Sequence, residues 1–232
     1  MGVLYGAFGA GGSAFATPLL ALAGVPPIVA IASPLPATIP AGLAGAWSYR
    51  REGAISTGLV RRAALIGVPT AVAGALCSDA VSGTVLLTLS ALVLLALGLR
   101  LSVPLAESDL ESPRNCALTT AAVAAVGFAA GLLANSGGFL LVPVFLLVAG
   151  LRMRAAAGTS MLVAAILTVP TLVTHAALGH VDWRIAALFA VGLVPGTLLG
   201  SRLSRRLPSA FTQRAFGGLL LLFAAWYLLR LS

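Results

Sequence analysis

The sequence predicts an all-α polytopic membrane protein made of two inverted-topology repeats, each a broken or re-entrant helix followed by three transmembrane helices. Three observations predict this. Hydrophobic residues make up 59% of the 232 and charged ones only 9%, and mean hydropathy is +1.06, far from soluble-domain usage. The same landmarks are written twice. Gly6, Gly12 and Pro18 stand 125 positions before Gly131, Gly137 and Pro143, and Gly53, Pro69, Gly74 and Ser78 stand 126 before Gly179, Pro195, Gly200 and Ser204. Finally, the arginines change loops between copies: Arg50, Arg51, Arg61 and Arg62 flank Gly53, whereas Arg202, Arg205 and Arg206 follow Gly200. A membrane repeat whose basic loops exchange places marks halves inserted upside down relative to each other.

The elements follow in order. Apolar segments cover 3–24, 28–49, 60–78, 81–100, 117–134 with 138–150, 155–177, 184–202 and 212–231. A span needs roughly 20 apolar residues, and 1–49, 80–99 and 115–151 contain no charged side chain at all. The start lacks the basic region and cleavage site of a secretory signal. The first repeat is 1–103, and the polar stretch 104–116, with Glu107, Asp109, Glu111 and Arg114, is a cytoplasmic linker. The second repeat is 117–232. Residues 117–125 have no counterpart in the first half, which therefore lacks its opening helix; the preferred reading is that the natural start lies upstream of Met1. Pro34, Pro36 and Pro40 fall within one apolar segment and should kink it, either as a gate or as fixed shape.

The arginines decide the number of crossings. All 14 basic residues are arginine and the net charge is +8. They sit at segment ends, which points to topological anchoring rather than nucleic-acid binding. Eight simple crossings divide them 8 to 6, which sets no orientation. The 34 residues of 117–150 are too long for one crossing at about 1.5 Å per residue through a core of about 30 Å. They are interrupted at Asn135-Ser136-Gly137-Gly138, where glycine and backbone-competing side chains favour a break. If that segment goes in and comes back, 12 arginines fall on one side and only Arg184 and Arg230 on the other. The positive-inside rule selects this solution, with the Arg-rich loops cytoplasmic in a cell (inner or plasma) membrane. Whether the broken segment makes two passes or a re-entrant hairpin stays open by parity.

The candidate site lies at the breaks. Unwound backbone at membrane depth is tolerated only where it is buried in protein or lines a cavity. Gly9-Ala10-Gly11-Gly12-Ser13 and Asn135-Ser136-Gly137-Gly138 are such stretches, each followed by an apolar half-helix with a proline. A half-helix starting there points free N–H groups and a positive dipole end inward. Two facing each other suit a small anion, with Gly11, Gly12, Ser13, Asn135, Ser136, Gly137 and Gly138 as binding residues. The alternative use of such glycines is close helix packing; their recurrence at matching positions within overlong segments favours binding. Ser33-Pro34 corresponds to Thr159-Ser160, and the hydroxyls of Ser33, Thr159 and Ser160 either donate to a ligand or satisfy a carbonyl one turn back.

Other residues are read more plainly. Gly196 and Gly200, with Thr70 and Gly74 in the first half, have small-xxx-small spacing and serve close packing. Trp47, Tyr49, Trp183, Trp226 and Tyr227 near segment ends are expected as interface anchors. Cys77 and Cys116 fit no metal motif and are expected to be small buried residues. His175, near the outer end of its segment with His180 and Asp182 in the next loop, is a proton-coupling candidate, or a hydrated structural histidine. No catalytic constellation, metal cluster or cofactor motif is present, so the expected partners are a small anionic substrate and the lipid bilayer, with no nucleic acid.

In combination these residues resemble the sulfite exporter TauE/SafE family, also called the toluene sulfonate uptake permease family. Gly9, Gly11, Gly12 and Pro18 match its first break. Ala156, Gly158, Thr159 and Ser160 match its Ala-x-x-Thr-Ser-like stretch, and Gly196, Gly200, Arg202, Leu203, Arg214, Phe216 and Gly217 resemble its C-terminal pattern. The similarity covers essentially the whole chain. Ser13 stands where the family often has a third glycine, Asn135-Ser136 replaces part of the second cluster, and Ser33-Pro34 replaces Thr-Ser, all in the binding region. The resemblance implies secondary transport of sulfite, sulfonates or related sulfur-containing anions. The leading reading is alternating access around the two facing half-helices, with the proton gradient as energy source. Competing readings are an inverted-repeat exporter of another metabolite, a membrane-embedded enzyme, and a non-transporting subunit. The enzyme reading needs acid, base or metal-binding groups, and the apolar segments offer hydroxyls and one histidine.

Overall fold

The computed structural model describes residues 1–9, 16–17, 19–20, 23–81, 85, 88, 92, 95–96, 99, 116–134, 137–204, 206–208, 211–212, 214–219, 221–222 and 225, apart from the side chain of Asp79. The bounded α-helices are α1 (Gly2–Phe8), α2 (Pro27–Ala32), α3 (Leu35–Arg50), α4 (Thr57–Cys77), α5 (Cys116–Leu132), α6 (Gly138–Leu147), α7 (Met153–Ala177) and α8 (Trp183–Ser204), with a 3₁₀ turn at Ser78–Ala80 after α4. Among the described residues there is no strand. The linker at 104–115 and nearly all of the expected spans 81–100 and 212–231 lie outside the described residues or are described only in part.

Four stretches are long and apolar enough to cross a bilayer: Pro27–Arg50 (α2 and α3 together), α4, α7 and α8. Pro27 opens α2 at a position where its missing N–H costs nothing. The expected kink is a break: α2 ends at Ala32 and α3 starts at Leu35, because Pro34 and Pro36 cannot donate back along a continuous helix. Its counterpart α7 runs unbroken through Thr159-Ser160. The interruption within 117–150 is present too. Helix α5 stops at Leu132 and α6 starts at Gly138. With 10 residues, α6 is about 15 Å long, half of a hydrocarbon core.

The two halves make matching contacts. The most extensive helix pairings are α4 with α5 and α1 with α8, followed by α3 with α8, α3 with α7, and α4 with α7. Counterparts under the repeat are α1 with the end of α5, α2–α3 with α7, and α4 with α8, so each pairing maps onto another or onto itself. The correspondence extends to atoms. A Cβ on Gly6 would run into the Thr197 carbonyl and Ser201 amide, and one on Gly131 into the Ala71 carbonyl and Ala75 amide. Likewise Gly200 lies on the Val3 carbonyl and Ala7 amide, and Gly74 on the Phe128 carbonyl and Leu132 amide. The packing use of the small-xxx-small spacing is thereby realised twice. Left-handed residues pair as well: Gly9 (φ 73) with Ala134 (φ 42), Gly24 with Gly150, and Gly53 with Gly179.

The offset changes from 125 to 126 in one turn. The Val25 amide donates to the Leu20 carbonyl, and the Leu151 amide to the Phe145 carbonyl, both near 3 Å. The second bond encloses one more residue, so the insertion is absorbed just after α6.

Burial separates centre from periphery. About two-thirds of the apolar window is buried in α2–α3 and α7, against about one-third or less in α4 and α8. Leu65, Val173, Leu188 and Val191 are largely exposed, as lipid-facing side chains are in a protein whose solvent is hydrocarbon. Trp47 and Trp183 are also exposed, in keeping with interface anchoring; Trp226 and Tyr227 lie outside the described residues. Two expectations are corrected. Tyr49 is buried, because its hydroxyl is used inside the protein. Cys77 and Cys116 are exposed free thiols, Cys116 accepting a hydrogen bond from Arg62 Nη1 at 3.0 Å.

The crossings give a direct test. Gly74→Ala and Gly200→Ala should each destabilise by about 1–3 kcal/mol through overpacking, seen as a lower melting temperature in detergent. Gly192→Ala, where added carbon meets open space, should leave it unchanged or raised.

Candidate functional site

Of the residues expected at the site, Ser33, Gly137, Gly138, Thr159, Ser160 and His175 are described; Gly11, Gly12, Ser13, Asn135 and Ser136 lie outside the described residues. Gly137 precedes α6 in a left-handed conformation (φ 68), and no side chain caps the helix. Gly138 is the first helical residue and is buried.

The described residues bordering each break lie against the helices of the other half. Gly9, at the end of α1, sits on the Ala157 backbone of α7, and Ser160 Oγ reaches its carbonyl at 3.0 Å and that of Ala157 at 2.9 Å. In the counterpart position Leu133 and Ala134 pack with Ile31, Ala32 and Leu35 of α2 and α3. Proline at 34 has no hydroxyl, so the Ser160 bond is made once.

The other two hydroxyls accept rather than donate. Asp182 N–H donates to Ser33 Oγ at 2.9 Å, and Ser56 N–H donates to Thr159 Oγ1 at 3.1 Å. Both oxygens belong to fully buried residues. Under the repeat Ser33 is the counterpart of Thr159 and Ser56 that of Asp182, so this is one bond made twice, each time tying a loop of one half to a helix of the other. Local sequence reasoning offered a ligand or a carbonyl one turn back, and missed a partner over 100 residues away.

A second pair joins α3 and α7 to the helices before the breaks. Tyr49 hydroxyl donates towards the Gly6 carbonyl at 3.1 Å and that of Ala7 at 3.3 Å. His175 Nε2 lies 3.1 Å from the Gly131 carbonyl. Tyr49 and His175 are counterparts, as are Gly6 and Gly131. His175 is buried and its Nδ1 is 3.0 Å from Nδ1 of His180. The histidine is therefore a helix clasp and not a hydrated end residue.

Sequence reasoning also overlooked Tyr5. It is completely buried and its hydroxyl has no hydrogen-bond partner among the described residues. The oxygen lies beside Gly42, where α3 meets Met161 and Ala165 of α7, midway along both helices. A buried donor left unpaired is rare and costs roughly 1–3 kcal/mol. Its only sequence cue is its place four residues before the Gly9 break. Elsewhere a cavity of about 360 Å³ opens between α4 and α5, lined in part by Arg62, Cys116, Thr119 and Thr120. Among the described residues no cluster of three or more His, Cys, Asp or Glu could hold a metal.

Comparisons with known proteins place the chain in a family. The family model described as "Sulfite exporter TauE/SafE" matches residues 1–227. The chain belongs to that family. It is 30% identical over 239 residues to a "Probable membrane transporter protein" of Xylella fastidiosa (strain 9a5c), covering 99% of this chain and 92% of that one. It is 28% identical over 223 residues to the "Probable membrane transporter protein YjnA" of Bacillus subtilis (strain 168), covering 89% and 87%. No solved structure matches significantly. Together with the four apolar spans, this makes the chain a multi-pass membrane transporter of the TauE/SafE family, in line with relatives named as transporters and not as enzymes.

Removing either tie should be costly, because a partly buried amide loses its acceptor. Ser33→Ala and Thr159→Ala are each expected to cost about 1–3 kcal/mol, measured by thermal unfolding in detergent.

Proposed function

We propose that this TauE/SafE transporter is a secondary permease or exporter for small sulfur-containing anions such as sulfite or organosulfonates, driven by the proton gradient. The two halves are inverted-topology repeats with re-entrant breaks, in a cell membrane with the Arg-rich loops cytoplasmic. The observation that carries the reading is the interchange of contacts: Gly9, where the first break begins, rests on α7 of the opposite half, and Leu133 and Ala134, just before the second, rest on α2 and α3. A pseudo-twofold arrangement of this kind puts the substrate near the midplane, between discontinuous helices whose N-termini favour an anion.

The anion site is composed of Gly11, Gly12 and Ser13 from one half and Asn135, Ser136, Gly137 and Gly138 from the other, with Ser33, Thr159 and Ser160 around it. Tyr5 joins them as a donor, since an unpaired buried hydroxyl at the α3–α7 crossing is accounted for by a ligand that accepts from it. An α6 of 10 residues supports a re-entrant hairpin over a second full pass. The family model's description names sulfite, and that name supports the substrate class.

Flux of sulfite and of an organosulfonate into proteoliposomes, with and without a pH gradient, is the first test. Gradient-dependent flux is expected, and its absence for both substrates would overturn the substrate class. Gly137→Leu should abolish flux while the protein still inserts. Tyr5→Phe should keep or raise thermal stability yet weaken anion binding by about tenfold, the worth of one hydrogen bond of roughly 1.4 kcal/mol; unchanged affinity would remove Tyr5 from the site.

Topology is tested separately. Single cysteines in the 50–62 and 202–214 loops, in a background lacking Cys77 and Cys116, should both react only from the cytoplasmic side. Reaction from opposite sides would sink the inverted arrangement.

A further inference from the structure

The cavity of about 360 Å³ between α4 and α5 has no part in the transport reading, and its cause is visible in the packing. A Cβ on Gly127 would run into the Gly67 backbone, and one on Gly131 into that of Ala71. The two helices touch along these later turns and part towards their N-termini at Thr57 and Cys116. The space between their first turns is the cavity, bounded on a third side by Ala149 and Leu151 in the turn after α6.

Its lining is divided by polarity. Leu59, Ala63, Ile66 and Val123 form an apolar floor, with Ala63 and Val123 buried. Arg62 and Cys116 are exposed at the mouth, and Ser56 and Thr120 are half-buried beside them. Among the described lining residues Arg62 is the one charged side chain. It donates to Cys116 Sγ at 3.0 Å, and a thiol sulfur is a weak acceptor. An oxyanion offers a planar guanidinium two parallel, charge-assisted bonds instead. The first turn of α4, which no side chain caps, adds the positive end of a 21-residue helix.

These features select a class of ligand. A bare inorganic anion would pair with Arg62 and leave the apolar floor in water. A neutral hydrocarbon would cover the floor and leave the guanidinium on its weak acceptor. The volume lies at the lower end of the roughly 300–1,000 Å³ usual for small organic ligands. We propose that this cavity binds an amphiphilic organic anion, with a sulfonate- or carboxylate-type head on Arg62 and a hydrocarbon body on the floor made by Leu59, Ala63, Ile66 and Val123. The occupant lies between α4 and Ser56 of the first half and α5 of the second, beside the tie from the Ser56 amide to Thr159. The site is separate from the one between the breaks and does not depend on what that one carries.

Cys116 makes the test local, because its thiol lines the cavity. The full chain with Cys77→Ser, in phosphatidylcholine nanodiscs, is alkylated with iodoacetamide while benzenesulfonate or sulfate is titrated at equal ionic strength. Benzenesulfonate should protect Cys116 saturably, at concentrations at least about tenfold below those of sulfate, since roughly two buried carbons are worth that factor. Arg62→Gln should raise the protecting concentration by about tenfold or more, the worth of a charged hydrogen bond. Arg61→Gln, at an exposed neighbour outside the lining, should leave it unchanged, as should Tyr5→Phe at the other site. Absence of protection, or equal protection by sulfate, would overturn the proposal. So would an Arg61→Gln or Tyr5→Phe loss as large as that of Arg62→Gln. Protection by phosphatidylglycerol in the nanodisc, with no further effect of benzenesulfonate, would assign the cavity to a lipid headgroup and overturn it as well. Flux does not enter the readout, so this site stands or falls apart from the transport reading.

Discussion

The fold depends on two helix crossings at which backbone touches backbone. Between helices in a bilayer there is little hydrophobic drive, since lipid tails are as apolar as leucine, and association relies on close packing of small residues. Gly6 and Gly200 bring α1 onto α8, and Gly131 and Gly74 bring α5 onto α4. In both cases the first helix of one half is fastened to the last bounded helix of the other. Neither half therefore completes its own packing. The halves are interleaved, and Gly9 after α1 and Ala134 after α5 are delivered to α7 and α2 as a consequence.

That interleaving explains why the polar groups of the centre are shared across halves. A backbone amide shielded from solvent needs an acceptor, and the partly buried amides in the loops after α3 and α7 find theirs in Thr159 and Ser33 of the opposite half. The carbonyls of Gly6 and Gly131, each in the turn just before a break, are met by Tyr49 and His175. The same four-part unit of helix, break, clasp and tie is made at both ends. Transporters of this kind move by rocking one bundle against another, and bonds that cross between halves at the two ends are the ones such motion must make and break.

Much of this was legible in the sequence, and the boundary of legibility has a physical cause. The repeat, the interruption at Asn135–Gly138 and the four long spans follow from composition, proline and glycine, all of which act locally. The packing role of Gly74 and Gly200 followed from spacing. What escaped was long-range. Tyr49 looked like an interface anchor because aromatics near helix ends usually are, yet its offset of 126 from His175 was a sequence signal that the two do the same work. Ala134 hid the second left-handed turn because alanine does not announce one. Cys77 and Cys116 were read as buried by residue type, which in a bilayer says little, as apolar surface faces lipid as readily as core.

The comparison of the two ends explains His175 better than either end alone. By itself, a buried imidazole bonded to a carbonyl is sufficiently explained as a clasp. Tyr49 supports that explanation, because a phenol makes the same clasp at the counterpart position. What the second end has gained over the first is the ring–ring contact with His180 and its adjacency to the Asp182–Ser33 tie.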